Sequence, residues 1–154
     1  MSNVRPHKMP KSALLKPSLN PQVVGNVGLY YACFQLSLLG WNVMPTARNA
    51  RGIDVVAYNG DASAYLGIQV KSLSKRSAVP VGTSLNKVMG EYWIVVTRIA
   101  TTPVAYVLSK EEVLARTHKA EKDGKASFWI EPGAYELEEF KNAWPKIKLA
   151  PSEA

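Results

Sequence analysis

An acid, an amide and an ammonium stand at Asp54, Gln69 and Lys71 inside two apolar runs. The runs are Gly52-Ile53-Asp54-Val55-Val56-Ala57-Tyr58 and Leu66-Gly67-Ile68-Gln69-Val70-Lys71. Segments this rich in Val, Ile and Tyr form strands. A charge embedded in such a segment is unfavourable unless it is paired, metal-bound or at a sheet edge. Converging on one sheet face, the three groups would hold a divalent cation beside a phosphate, which is the chemistry of a nuclease or of a DNA binder derived from one.

Alternation of side chains along a strand puts Gln69 and Lys71 on one face, with Ile68, Val70 and Ser72 on the other. Whether Asp54 meets them depends on the hairpin register. A two-residue turn at Asn59-Gly60 is a favoured loop. It pairs Tyr58 with Asp61 and leaves Gln69 about 13 Å from Asp54 at ordinary strand rise. A longer hairpin, irregular over Asn59–Ala62 and centred on Asp61-Ala62, sets Asp54 opposite Gln69. Both registers keep Asp54 on the Gln69 and Lys71 face, and the longer one is expected.

The flanking elements follow from the same kind of pattern. Asn20-Pro21 supplies an N-cap and a proline at the first helical position. Val23, Val27, Tyr30 or Tyr31, Phe34 and Leu38 then recur at helical spacing up to Leu39, and Gly40 stops the helix. Gly25 and Gly28 within it permit close backbone approach. Trp41–Thr46 is expected as a short strand that Pro45 pushes to an edge. Leu73–Val88 is expected to be an irregular loop because of Pro80 and Gly82. Strands are expected at Glu91–Ile99 and Pro103–Leu108. A helix over about 110–118 starts from a Ser109/Glu112 capping box. A short strand at Ala126–Ile130 and an amphipathic helix at Ala134–Trp144 complete the chain. This order predicts one α/β domain, a central mixed sheet flanked by helices, over residues 20–149. Residues 1–19 hold three prolines and four cations without apolar periodicity and read as a flexible basic arm.

The bulk properties agree with a single domain, since 154 residues bury one sizeable core. No run approaches the roughly 18 apolar residues of a membrane helix, and no signal-peptide core is present, so no membrane partner is expected. Cys33 is the only cysteine, which excludes an internal disulfide and suits a reducing cytoplasm. The net charge of +7 is concentrated on the arm and around the suspected site. Arg48 and Arg51 precede Asp54, and Lys75 and Arg76 follow Lys71. A basic arm beside a basic face is the footprint of phosphate binding, with DNA the expected partner. His7 and His118 have no cysteine or carboxylate at ligand spacing, so zinc is not expected.

Four segments together resemble one known family. They are Gly25-Asn26-Val27-Gly28-Leu29-Tyr30-Tyr31, Leu39-Gly40-Trp41-Asn42-Val43, Arg48-Asn49-Ala50-Arg51-Gly52-Ile53-Asp54 and Ile68-Gln69-Val70-Lys71. This roughly third of the chain resembles the PD-(D/E)XK nuclease superfamily, whose members share the restriction-endonuclease-like fold. The resemblance implies Mg²⁺ (or Mn²⁺)-dependent hydrolysis of DNA phosphodiesters. Asp54 and Gln69 would hold the metal, Lys71 would assist catalysis, and Asn26 would occupy the position where the first helix often supplies a Glu. Arg48, Arg51, Lys75 and Arg76 would contact nucleic acid, and a homodimer is possible by the same resemblance. Two departures mark this chain: Gln69 replaces the usual second acid, and Asn26 the helix acid. They leave open an alternative, a catalytically inactive relative that binds nucleic acid or a protein on the same scaffold.

Overall fold

The computed structural model describes residues 19–47 and 52–149. The arm expected over residues 1–19 thus falls almost wholly outside the described residues, as does the loop carrying Arg48 and Arg51.

The helix α1 spans Pro21–Leu38, with the Asn20 side chain accepting from the Val23 N–H at 2.9 Å. Its end is marked by Gly40 at φ +89°, where Gly40 N–H donates to Ser37 and Trp41 N–H to Leu36. A left-handed residue in that place closes the last carbonyls of a helix, and glycine adopts the conformation without penalty. Strands β1 (Asn42–Pro45), β2 (Val55–Tyr58) and β3 (Tyr65–Ser72) follow as an antiparallel meander. Tyr58 pairs with Tyr65, so the hairpin loop is the longer one expected, spanning residues 59–64. Asn59 organises it, its carboxamide oxygen accepting from Ala64 N–H.

The chain next crosses over through β4 (Val79–Gly82) and a 3-10 turn at Leu85–Lys87 before entering β5 (Tyr92–Thr97). β5 lies parallel to β3 and antiparallel to β6 (Val104–Ser109). The resulting main sheet has the order β1-β2-β3-β5-β6 and is mixed, as expected. Helix α2 (Lys110–Ala115) starts from Ser109 with the capping box complete. A hairpin of β7 (His118–Lys122) and β8 (Lys125–Ile130) joins β4 in a second, antiparallel sheet of order β4-β8-β7. The short helix α3 (Pro132–Tyr135) and a 3-10 turn at Trp144–Lys146 end the fold.

Two cores form, one on each face of the main sheet. Val24, Ala32 and Leu36 of α1 pack on Val55, Ala57, Ile68, Ile94 and Val96. On the other face Trp93, Val95 and Leu108 meet Val79, Ile130, Tyr135 and Phe140. By alternation the second face is the one that carries Gln69 and Lys71.

Four expectations are corrected here. The buried stripe of α1 is Val24, Gly28, Ala32 and Leu36, whereas Tyr30, Phe34 and Leu38 are 62%, 58% and 67% exposed. Gly28 decides this: small residues on one stripe bring the helix down onto the sheet, and a Cβ there would sit 1.9 Å from Ser72 Oγ. The segment Leu73–Val88 is not wholly irregular, because β4 forms within it. Pro80 is tolerated since β4 is an edge strand with one partner and a register break between Pro80 and Gly82. The helix expected to reach residue 118 stops at Ala115, and His118–Lys122 is a strand. The Asp123-Gly124 turn, with both residues at positive φ (52° and 71°), is the two-residue hairpin loop whose signal the sequence did carry. Finally, Ala134–Trp144 is helical only at its start. Beyond Tyr135 the chain lies along β6, with Val107 N–H donating to Phe140 and Asn142 N–H to Ala105. Those bonds cover the β6 edge of the main sheet, and only isolated turns remain, such as Lys141 N–H to Leu137.

Candidate functional site

Asp54 precedes β2, and its backbone is held from both sides. Thr46 at the end of β1 donates its N–H to the Asp54 carbonyl (2.9 Å) and its hydroxyl to the Ile53 carbonyl (2.5 Å). On the other side Asp54 N–H donates to Ile68, although Ile68 is already the register partner of Val55. Two residues thus address one, as in a β-bulge, and the strand bends there. The Asp54 side chain reaches across to β3. Its Oδ2 accepts from the Val70 N–H at 2.8 Å, in the place where a regular ladder would offer a carbonyl.

The same oxygen accepts from Gln69 Nε2. Gln69 is only 8% exposed, so its carboxamide is fixed by these contacts and by a further donation to the Val70 carbonyl at 3.3 Å. Its Oε1 faces Gly52, where an added Cβ would lie 3.2 Å away. Gly52 has φ +86°. Glycine meets both requirements of that turn, the backbone angle and the space left beside the amide oxygen.

Lys71 is half-buried on the same strand, with its Nζ 5.2 Å from the centre of the Trp93 ring. Burial pushes the Lys71 ammonium below its ordinary pKa, and the nearby Asp54 carboxylate opposes that shift. Among the described residues Lys71 closes no ion pair with Asp54. The ammonium is therefore charge-coupled to the carboxylate without being spent on it.

The constellation stands in the wall between two clefts. One, of about 500 Å³, is lined by Asn26 and Tyr30 of α1 together with Gly52, Asp54 and Lys71. The other, of about 720 Å³, is lined by Gln69, Lys71 and Trp93, with Asn86, Lys87 and Met89 from the crossover. Asn26 is exposed and shares the first cleft with Asp54. Lys75 is exposed beyond the end of β3. Arg76 is committed to an ion pair, its Nε 2.6 Å from Glu136 Oε2. Arg48 and Arg51 lie outside the described residues.

Trp93, Asn86 and Lys87 were not singled out from the sequence. Trp93 reaches the site through the parallel pairing of Gln69 with Trp93, and no local pattern specifies which strand will neighbour β3. Asn86 and Lys87 sit in a segment whose path depends on β4 joining β8.

A resident divalent cation can be tested against the donors present. Asp54 Oδ1 and Gln69 Oε1 are hard oxygen donors, and the Gly52 turn keeps space open beside the amide oxygen. Such a set suits Mg²⁺ or Mn²⁺, which retain several waters and take further oxygens from a substrate phosphate. Among the described residues no group of three His, Cys, Asp or Glu comes together, which leaves no zinc-type cage. No described helix is long and apolar enough to cross a membrane.

No family model matches this chain, and no curated protein matches it either. Among solved structures, a bacterial homing endonuclease, I-Ssp6803I, superposes on 84% of this chain and 93% of its own with a TM-score of 0.52. The identity over that match is 15%, so what the two chains share is the fold.

Proposed function

We propose that this protein is a metal-dependent endonuclease of DNA, with Asp54 and Gln69 holding Mg²⁺ (or Mn²⁺) and Lys71 assisting phosphodiester hydrolysis. The observation that supports it most is the meeting of the Asp54 carboxylate with the Gln69 amide, beside a half-buried Lys71. The fold held in common with a homing endonuclease points the same way.

When bound, the cation would neutralise phosphate charge and lower the pKa of a water. The residues of the chain do the rest. Val70 N–H and Gln69 Nε2 both donate to Asp54 Oδ2 and hold the carboxylate in one orientation, and Oδ1 would be the oxygen offered to a cation. Gln69 adds an amide oxygen without a second negative charge, so the site repels a phosphodiester less than a two-acid site would. Lys71 keeps its ammonium within a partly desolvated wall, where it stabilises the charge that develops on the phosphate oxygens. Asn26 would contact the substrate from α1, and Arg48, Arg51, Lys75 and the free nitrogens of Arg76 would hold flanking phosphates.

Plasmid cleavage with Mg²⁺ or Mn²⁺ tests the reading. Wild type should nick or linearise DNA, Asp54→Ala should be inert, and Lys71→Ala should lose on the order of a hundredfold in rate. Equal inertness of all three at high protein concentration would remove the enzyme. The second reading, a binding module without cleavage, is favoured by one specific observation: Asp54 is the single carboxylate of the constellation. DNA binding that survives both substitutions without any cleavage would establish it.

A further inference from the structure

The β7–β8 hairpin is anchored by β8, which pairs with β4 and buries Ile130 in the second core. All five residues of β7 are exposed, so the strand adds nothing to either core. Cross-strand pairing defines what each face presents. His118 pairs with Trp129, Ala120 with Ser127, and Lys122 with Lys125, so these six share one face of the ribbon. At its base the His118 and Trp129 rings stack at 6.2 Å and 26°. At its middle stand the two small residues, and at its tip are two lysines directly opposite each other.

The opposite face is charged differently. Lys119 is ion-paired with Glu121 at 3.5 Å. Among the described residues Lys122 and Lys125 make no ion pair, and the acids beside their face are Asp123 in the turn and Glu131, which accepts from Trp129 Nε1 at the base. Like charges directly opposite on a ladder destabilise it. An exposed ribbon that holds two ammoniums on one rung is suited to an external anion, and small residues behind the rung let a convex surface approach.

The location gives that anion a class. The second edge of β8 pairs with β4, and the crossover that contains β4 lines the cleft with Gln69 and Lys71. From the Gly82–Phe128 rung, beside the cleft-lining Val81, the ribbon runs three residues to Lys125, about 10 Å at roughly 3.4 Å per residue. A long polyanion lying in the cleft is the ligand that spans such a distance.

We propose that the β7–β8 hairpin is a second DNA-contacting element, in which Lys122 and Lys125 grip duplex phosphates outside the catalytic cleft and set affinity, not the rate of the chemical step. The inference rests on the DNA reading given above, and its test separates the two. Binding of a random-sequence duplex is measured by fluorescence anisotropy across a salt series, with chelator present so that no cleavage intervenes. Wild type is compared with Lys122→Gln/Lys125→Gln, with Lys122→Arg/Lys125→Arg and with Lys119→Gln. The double glutamine variant should lose at least about tenfold in affinity, and its log–log salt slope should fall by about 1.8, two contacts at about 0.9 each. The arginine variant should retain wild-type binding, and Lys119→Gln should change little because Glu121 already neutralises it. Thermal melting of the glutamine variant should match or exceed wild type, since a like-charge rung has been removed. An unchanged slope in the glutamine variant, with wild type binding normally, overturns the hairpin contact alone. A wild type that binds no duplex overturns both this contact and the DNA reading, and one that prefers a single-stranded RNA overturns the partner assigned here.

Discussion

Asp54, Gln69 and Lys71 owe their chemistry to unequal surroundings on adjacent strands. Gln69 acts first as a donor to Asp54, and this role makes a sharp prediction for Gln69→Glu. Without metal, the variant sets two carboxylates against each other in a buried position and removes a donor, so melting should report a loss of about 1–3 kcal/mol. Added Mg²⁺ should return more stability to the variant than to wild type, because the new acid raises affinity for the cation. A variant melting like wild type, with and without metal, would show that Gln69 does not face the cation.

Lys71 carries a pH signature. Burial lowers its folded pKa relative to the ordinary 10.5 of the unfolded chain, with Asp54 partly restoring it. The unfolded state therefore binds more protons between the two values, and stability gained from this group rises with pH through that window. Cleavage should move oppositely, falling on the alkaline side below the usual lysine range as the ammonium is lost. Lys71→Arg should retain its charge there and flatten that limb of the rate profile. Asp54, Gln69 and Lys71 were legible in the sequence because charges inside strand-forming runs are conspicuous and alternation assigns their face. Trp93 was not, because a tryptophan in an apolar strand looks like core until the parallel partner of that strand is known.

At the scale of the elements, the meander β1-β2-β3 and α1 form the frame of the site, and Gly28 brings the helix against Ser72 of β3. Gly28→Ala would place a methyl group 1.9 Å from Ser72 Oγ and 2.8 Å from Ser72 Cβ, next to Lys71 in sequence. The helix must then lift or β3 must shift, for a loss of about 1–3 kcal/mol. Ser72→Gly in the same chain should recover most of it, as measured by urea denaturation. Helix α2 depends on its cap instead. Ser109 Oγ accepts from Glu112 N–H, while Glu112 Oε2 takes Ser109 N–H at 2.7 Å and Lys146 Nζ at 2.5 Å. Burial raises the Glu112 pKa, but the Lys146 and Ser109 bonds outweigh it and leave it lowered. Its contribution to stability is thus present above the usual carboxylate range and lost as pH falls through the lowered value. Ser109→Ala should cost about 1 kcal/mol in the same assay. Caps and turns of this kind were readable in advance. The face of α1 was not, since Tyr30, Phe34 and Leu38 make the more hydrophobic stripe while close approach favoured the one with Gly28 and Ala32. The segment after Tyr135 has helical periodicity, and its hydrogen bonds went to the edge of β6.

For the whole molecule, the architecture reduces to two antiparallel units, β1-β2-β3 and β5-β6, joined by one parallel pairing. The chain between them passes through β4, which belongs to the other sheet. The mixed sheet was readable from the order of elements, but the division into two sheets was not, because it turns on Pro80 being tolerated at an edge and on β7 being a strand. The parallel pairing also carries a consequence for how the molecule opens. Strand β5 is paired on both sides, with β3 from Tyr92 to Val96 and with β6 from Tyr92 to Thr97. Its amides cannot be released by fraying one edge, since both neighbouring strands would have to part from it together. The exposed edge strand β7 has no such protection. Native-state amide exchange should therefore divide into two classes, with the amides of β5 exchanging only through global unfolding and the His118–Lys122 amides through local opening.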